Sequence, residues 1–136
     1  MTRLLLVLLL ALPGQAHAEL DINDAWIRDL PPSIPVRAGY MTLHNAQSSA
    51  VSIIAIRSEA FASIEIHETL EQDGAMRMQP VPVLTIEPHT SVQLAPGGLH
   101  LMMMNPAQPI KPGDVLVITI ELDDGSTQHL DMTVKK

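Results

Sequence analysis

The chain has 136 residues, with 15 acids against 8 bases, a formal net charge of −7 with neutral histidines, no cysteine, and one each of Phe, Trp and Tyr. A chain this acidic does not gather phosphates, which excludes nucleic acid as a partner. Without cysteine there is neither a disulfide to stabilise the fold nor a thiolate for catalysis or metal, and the length is that of one domain.

The first element is a leader. Arg3 precedes the apolar run LLLVLLLAL, and PGQAHA follows, ending in the small-x-small pattern of a cleavage site. This is the build of a secretory signal peptide over residues 1–18. The apolar run falls far short of the roughly 20 residues that a membrane span needs, so residues 19–136 are expected to be exported as one domain with no span. Cutting after Ala18 removes Arg3 and no acid, so the formal charge becomes −8. No cysteine follows the cut, so no thiol-linked lipid anchor is expected.

Beyond the leader, strand signals recur about every ten residues and no segment keeps a helical period over three turns. Strands are predicted near Leu20–Ile27, Ala38–His44, Val51–Ile56, Ala62–Leu70, Ala75–Met78, Ser91–Leu94, Leu99–Met104, Val115–Leu122 and Thr127–Val134. The punctuation between them is turn chemistry: LPPSIP as an extended loop, EQDG and DDG as hairpin turns, APGG and IKPGD as tight turns. Short strands at this density predict an all-β, antiparallel sandwich or barrel.

Alternation then assigns faces. Leu130, Met132 and Val134 oppose His129, Asp131 and Thr133, and Leu116, Ile118, Ile120 and Leu122 turn inward. In GGLHLMMMN, Leu99, Leu101 and Met103 form the core face, which leaves His100, Met102 and Met104 together on the other. Methionine normally fills core gaps, so two thioethers beside a histidine on an outer face call for a different reason.

A second pair lies in the hairpin IEIHETLEQDGAMRM. With Leu70 opposite Ala75, His67 stands directly across from Met78, about 5 Å away between Cβ atoms. A tighter two-residue Asp73-Gly74 turn makes the two diagonal neighbours on the same face. Two short modules therefore each offer one imidazole and one thioether, a neutral N2S2 set. Thioether sulfur is soft and uncharged, which suits Cu(I) and not Zn(II), Mg(II) or Ca(II). Methionine also suits an oxidising compartment, where paired thiols would close into a disulfide.

The spacing His67, ten residues, Met78, twenty-one residues, His100, one residue, Met102 resembles the His-x10-Met-x21-His-x-Met signature of the periplasmic copper chaperones known as PCu(A)C. The likeness extends over nearly all of the mature chain, through DAWIR, the PP loop, AGYMTLHN, IHE…DGAMRMQPV, LAPGGLHLMMMN, PIKPGD and the DDG hairpin. It implies a Greek-key, cupredoxin-like β-sandwich, monomeric in the periplasm, that binds one Cu(I) through His67, Met78, His100 and Met102. It further implies delivery towards the copper centres of cytochrome c oxidase, with the oxidase's copper-bearing subunit or a Sco-type thiol protein as partner. Some members carry a His- and Met-rich C-terminal tail; this chain closes on DMTVKK, and no second site is carried over.

The other candidates keep ordinary readings. His44, His89 and His129 are surface or turn histidines, Met103 and Met132 core, Met41 open, and Trp26 a packing anchor. Met76 and Met104 share the faces of the ligands as substitute donors or an apolar lid. Glu65 and Glu68 flank His67 with no second carboxylate to suggest acid–base catalysis. No hydrolase elbow, His-Glu-x-x-His or phosphate loop occurs, so no enzyme is expected, and a blue-copper site lacks its thiolate. The rival reading is a metal-free interaction module that docks a partner on a Met-rich patch.

Overall fold

The computed structural model describes residue 14 and residues 17–136, so the leader reading of residues 1–18 falls almost wholly outside the described residues. Ten strands and no helix occur among the described residues. They are β1 (Asp21–Arg28), β2 (Val36–His44), β3 (Val51–Arg57), β4 (Phe61–Gln72), β5 (Ala75–Pro80), β6 (Leu84–Ile86), β7 (Ser91–Leu94), β8 (Leu99–Pro106), β9 (Val115–Leu122) and β10 (Thr127–Lys135).

Seven of these close into a barrel in the order β4-β8-β2-β1-β10-β9-β3, sealed where Ile56 of β3 meets Ile64 of β4. The remaining three flank it: β5 pairs with β4, β6 with β3, and β7 with the end of β2. One pairing departs from the all-antiparallel expectation. β1 and β10 run parallel, with Trp26 beside Thr133 and Val134 beside Ile27. A parallel pair needs a long crossover, and here the whole intervening domain serves as that connection.

β6 has no counterpart in the sequence reading, because its three residues lie among Pro80, Pro82 and Pro88. Proline withholds the N–H that a ladder uses and argues locally against a strand. The segment nevertheless pairs Leu84 with Ile53 and Ile86 with Val51 at the sheet edge, and both leucine and isoleucine are buried.

The interior follows the alternation rule. Ile118, Ile120 and Leu122 of β9, Met132 and Val134 of β10, Ile27 of β1, and Leu101 and Met103 of β8 form one buried cluster with Ile64 and Ile66 of β4. Met41, left open by sequence, joins it at 1% exposure. Burying such side chains contributes about 1.5–3 kcal/mol each. This holds β4 and β8 against the core on one face and presents their other face outward. At Gly39 of β2, opposite Leu101, a Cβ would lie only 3.1 Å from Met103 Sδ and 3.2 Å from Leu101 Cβ, so the absence of a side chain is what lets β2 close on β8.

Candidate metal centre

The outer face of β8 starts from a turn. Ala95–Gly98 reverses the chain with Gly97 at φ 87°, a conformation that glycine adopts without a Cβ penalty, and Gly98 N–H donates to Ala95 O at 3.1 Å. From Leu99 onward alternation sends Leu101 and Met103 into the core at 0% exposure and His100, Met102 and Met104 to the other side. His100 is itself buried, and its Nδ1 lies 3.0 Å from the carbonyl oxygen of Gly98. A carbonyl only accepts, so the proton resides on Nδ1 and the lone pair is left at Nε2.

β4 brings the second imidazole. Antiparallel pairing sets His67 directly opposite His100 and Glu65 opposite Met102, with the two imidazole centroids 6.1 Å apart and inclined at 48°. The His67 side chain is 13% exposed. Its Nε2 lies 2.7 Å from Glu65 Oε2, while its Nδ1 is buried with no hydrogen-bond partner. Buried polar atoms in folded proteins are nearly always partnered, so an orphaned nitrogen on an imidazole whose centroid lies 6.1 Å from that of a second imidazole is a place for a ligand.

β5 carries the fourth candidate, Met78. Asp73 and Gly74 both have positive φ, 54° and 78°, as a two-residue hairpin turn of the primed type requires. Gln72 therefore stands opposite Ala75, Thr69 opposite Met78, and His67 opposite Pro80. This corrects the wider turn: Leu70 faces Arg77, not Ala75, and His67 and Met78 are diagonal neighbours, the second of the two readings of EQDG. Both registers keep them on one face, because the shift is by an even number. β5 is an edge strand exposed along its whole length, with Met78 at 59% and Met76 at 64% exposure.

His67, Met78, His100 and Met102 thus share one face across three adjacent strands. Three of them stand on the barrel wall and Met78 on a projecting arm. No group of three or more His, Asp or Glu that could hold a metal ion occurs among the described residues. Met76 lies one pleat further out on the arm, opposite Glu71, and Met104 stands opposite Ser63 at the other end of the face.

The remaining assignments are structural. His44 pairs with Ser91 and His129 with Thr119 at the surface, and His89 occupies a turn at φ 57°. Trp26 packs on Tyr40 with ring centroids 4.9 Å apart, and the Arg28 guanidinium covers both rings. Glu65 is the residue that sequence reasoning passed over. Its signal is the i, i+2 spacing from His67 on a strand, which places the two side by side on one face.

The family described as "Putative lipoprotein LpqE-like" matches residues 20–134. Among curated relatives, the "Putative lipoprotein Lxx21020" of Leifsonia xyli subsp. xyli is 28% identical over 124 residues, covering 90% of this chain and 74% of that protein. The "Uncharacterized protein RP573" of Rickettsia prowazekii is 30% identical over 127 residues, covering 88% and 68%. Among solved structures, the copper-bound PCuAC domain from PmoF2 superposes with a TM-score of 0.73 at 18% identity, over 88% of this chain and 96% of that domain. The Cu(I) form of DR1885 from Deinococcus radiodurans superposes with a TM-score of 0.69 at 31% identity, over 90% and 82%. The expected cupredoxin-like β architecture holds.

Proposed function

We propose, from the premise that this chain belongs to the LpqE-like family of PCu(A)C copper-binding domains, that it is an exported copper chaperone carrying one Cu(I) on His67, Met78, His100 and Met102. The observation that carries this reading is the strand register: His67 opposite His100, with Met102 and Met78 as the neighbours on the same face. Two neutral imidazoles and two thioethers suit a soft monovalent ion, here the cargo, and hold it without the charge attraction of a thiolate. Release by ligand exchange is correspondingly easy.

The leader composition and a family of lipoproteins both support export, to the periplasm in this reading. Delivery towards the copper centres of cytochrome c oxidase, directly or through a Sco-type thiol protein, follows the resemblance of the ligand spacing. Carriage needs no catalytic group, and no enzymatic step is proposed.

Anaerobic titration with Cu(I) against a chromophoric chelator tests the reading. One ion bound per chain, with two sulfur and two nitrogen neighbours by X-ray absorption, is the expected result. His100→Ala and Met102→Ala each weaken binding sharply, and unchanged affinity in the double variant refutes the assignment. The exposed thioethers of Met76 and Met78 favour one rival, a metal-free module that docks a partner on this arm. Native mass spectrometry of the exported protein retaining no copper at stoichiometric supply would decide for it.

A further inference from the structure

We infer that Glu65 is a positioning residue of this site: by accepting the Nε2–H of His67 it holds that imidazole in the tautomer whose free lone pair is at Nδ1, so an incoming Cu(I) meets Nδ1 of His67 and Nε2 of His100. The part that concerns copper rests on the proposed function; the part that concerns the tautomer does not.

The geometry leaves one consistent proton placement for neutral imidazoles. An ionised carboxylate only accepts hydrogen bonds, so the 2.7 Å contact from Glu65 Oε2 puts the His67 proton on Nε2. The 3.0 Å contact from the Gly98 carbonyl puts the His100 proton on Nδ1. The two rings are therefore set in opposite tautomers by two different acceptors. His67 Nδ1 is left buried and unpartnered. Pro80, the residue across from His67 on β5, has no backbone N–H to offer it. A buried acceptor with no protein donor is matched by an electron-pair acceptor, which is what a metal ion is.

The placement of Glu65 also suits the task. It stands opposite Met102, at the rim of the same face, and its side chain is half exposed. A carboxylate bonded to the far nitrogen of a ligating histidine fixes the ring's rotation, strengthens its donor nitrogen and sets one negative charge beside a site whose own donors are all neutral.

Nitrogen-15 NMR of the metal-free protein, at a pH above the imidazole range, reads the tautomers directly. The wild type is expected to show His67 protonated on Nε2, and Cu(I) is expected to perturb Nδ1 of His67. Glu65→Ala is expected to mix the two His67 tautomers and weaken Cu(I) about 10- to 100-fold. Glu65→Gln, whose amide oxygen still accepts the Nε2–H, is expected to restore the tautomer and most of the affinity. His67 protonated on Nδ1 in the wild type, an unchanged tautomer in Glu65→Ala, or an unchanged affinity in that variant each overturns the role given to Glu65. A wild type that has the expected tautomer but takes up no Cu(I) overturns the copper reading, and Glu65's part in it. One that binds Cu(I) with the opposite tautomer overturns Glu65's role alone.

Discussion

Replacing Gly39 by alanine adds one methyl group where β2 comes closest to β8. That methyl would stand 3.1 Å from Met103 Sδ, 3.2 Å from Leu101 Cβ and 3.3 Å from Leu101 Cδ1. Met103 and Leu101 have no exposed surface into which to retreat. The thioether can swing, but Leu101 Cβ is fixed to the β8 backbone, so the two strands must separate by a few tenths of an ångström. Overpacking of this kind costs about 1–3 kcal/mol. At roughly 2.1 cal/mol/K of unfolding entropy per residue over about 118 residues, each kcal/mol is worth about 4 °C, giving a fall in Tm of about 4–12 °C. Urea unfolding should show a lower midpoint with an unchanged slope. Because the opposite face of β8 carries His100 and Met102, Cu(I) affinity should fall with stability. Gly98→Ala is the control, since the nearest atom to its added Cβ is Ala95 O at 3.8 Å and it should change stability by less than about 1 kcal/mol. A Gly39→Ala protein as stable as Gly98→Ala would refute the argument.

The methionines should separate by face. Met103→Ala, in the core, is expected to cost about 2–5 kcal/mol, whereas Met78→Ala, on the exposed arm, is expected to change stability by less than about 0.5 kcal/mol while weakening Cu(I) binding. Equal stability losses, measured by urea unfolding, would contradict the facial assignment. In the full chain Asp124 should titrate at about 2, held down first by the Ser126 hydroxyl and then by the backbone N–H groups of Ala18 and Ser126, of which the Ala18 group leaves with the leader when the chain is cut after Ala18. A carboxyl depressed in the folded state stabilises the fold above the ordinary carboxylate pKa, and that contribution disappears as pH falls through the folded value. A carbon-13 NMR titration should show the Asp124 value rising most in Ser126→Ala; a wild-type carboxyl that titrates at its ordinary value refutes the hydrogen-bond account.

Where a two-residue period was clean, the sequence was enough. LHLMMMN has leucine and methionine on one parity and His100, Met102 and Met104 on the other, and burial follows it from Leu101 to Met104, whereas His100 is buried although it lies on the other parity. The same parity rule explains why the face shared by His67 and Met78 was legible before the turn was known, while their register was not. Only the positive φ of both Asp73 and Gly74 selects the tight turn. β6 was hidden because its pairing with β3 depends on a tertiary edge that prolines disguise locally. The parallel neighbourhood of β1 and β10 leaves no local trace, since it joins residues more than a hundred positions apart. Glu65 was missed for a chemical reason. The sequence reading asks only whether it pairs with a second carboxylate for acid–base catalysis, whereas in the fold it lies against its neighbour His67.

That parallel neighbourhood also governs how the molecule comes together. Among the described residues β10 is the strand that bridges β9 to β1, so the circle of seven cannot be completed until β10 is available. A chain cut short before Thr127 would lose more than a fringe. It would become an open, curled sheet with the bare backbones of β1 and β9 exposed on either side of the gap, two rows of unpaired donors and acceptors ready to recruit other chains.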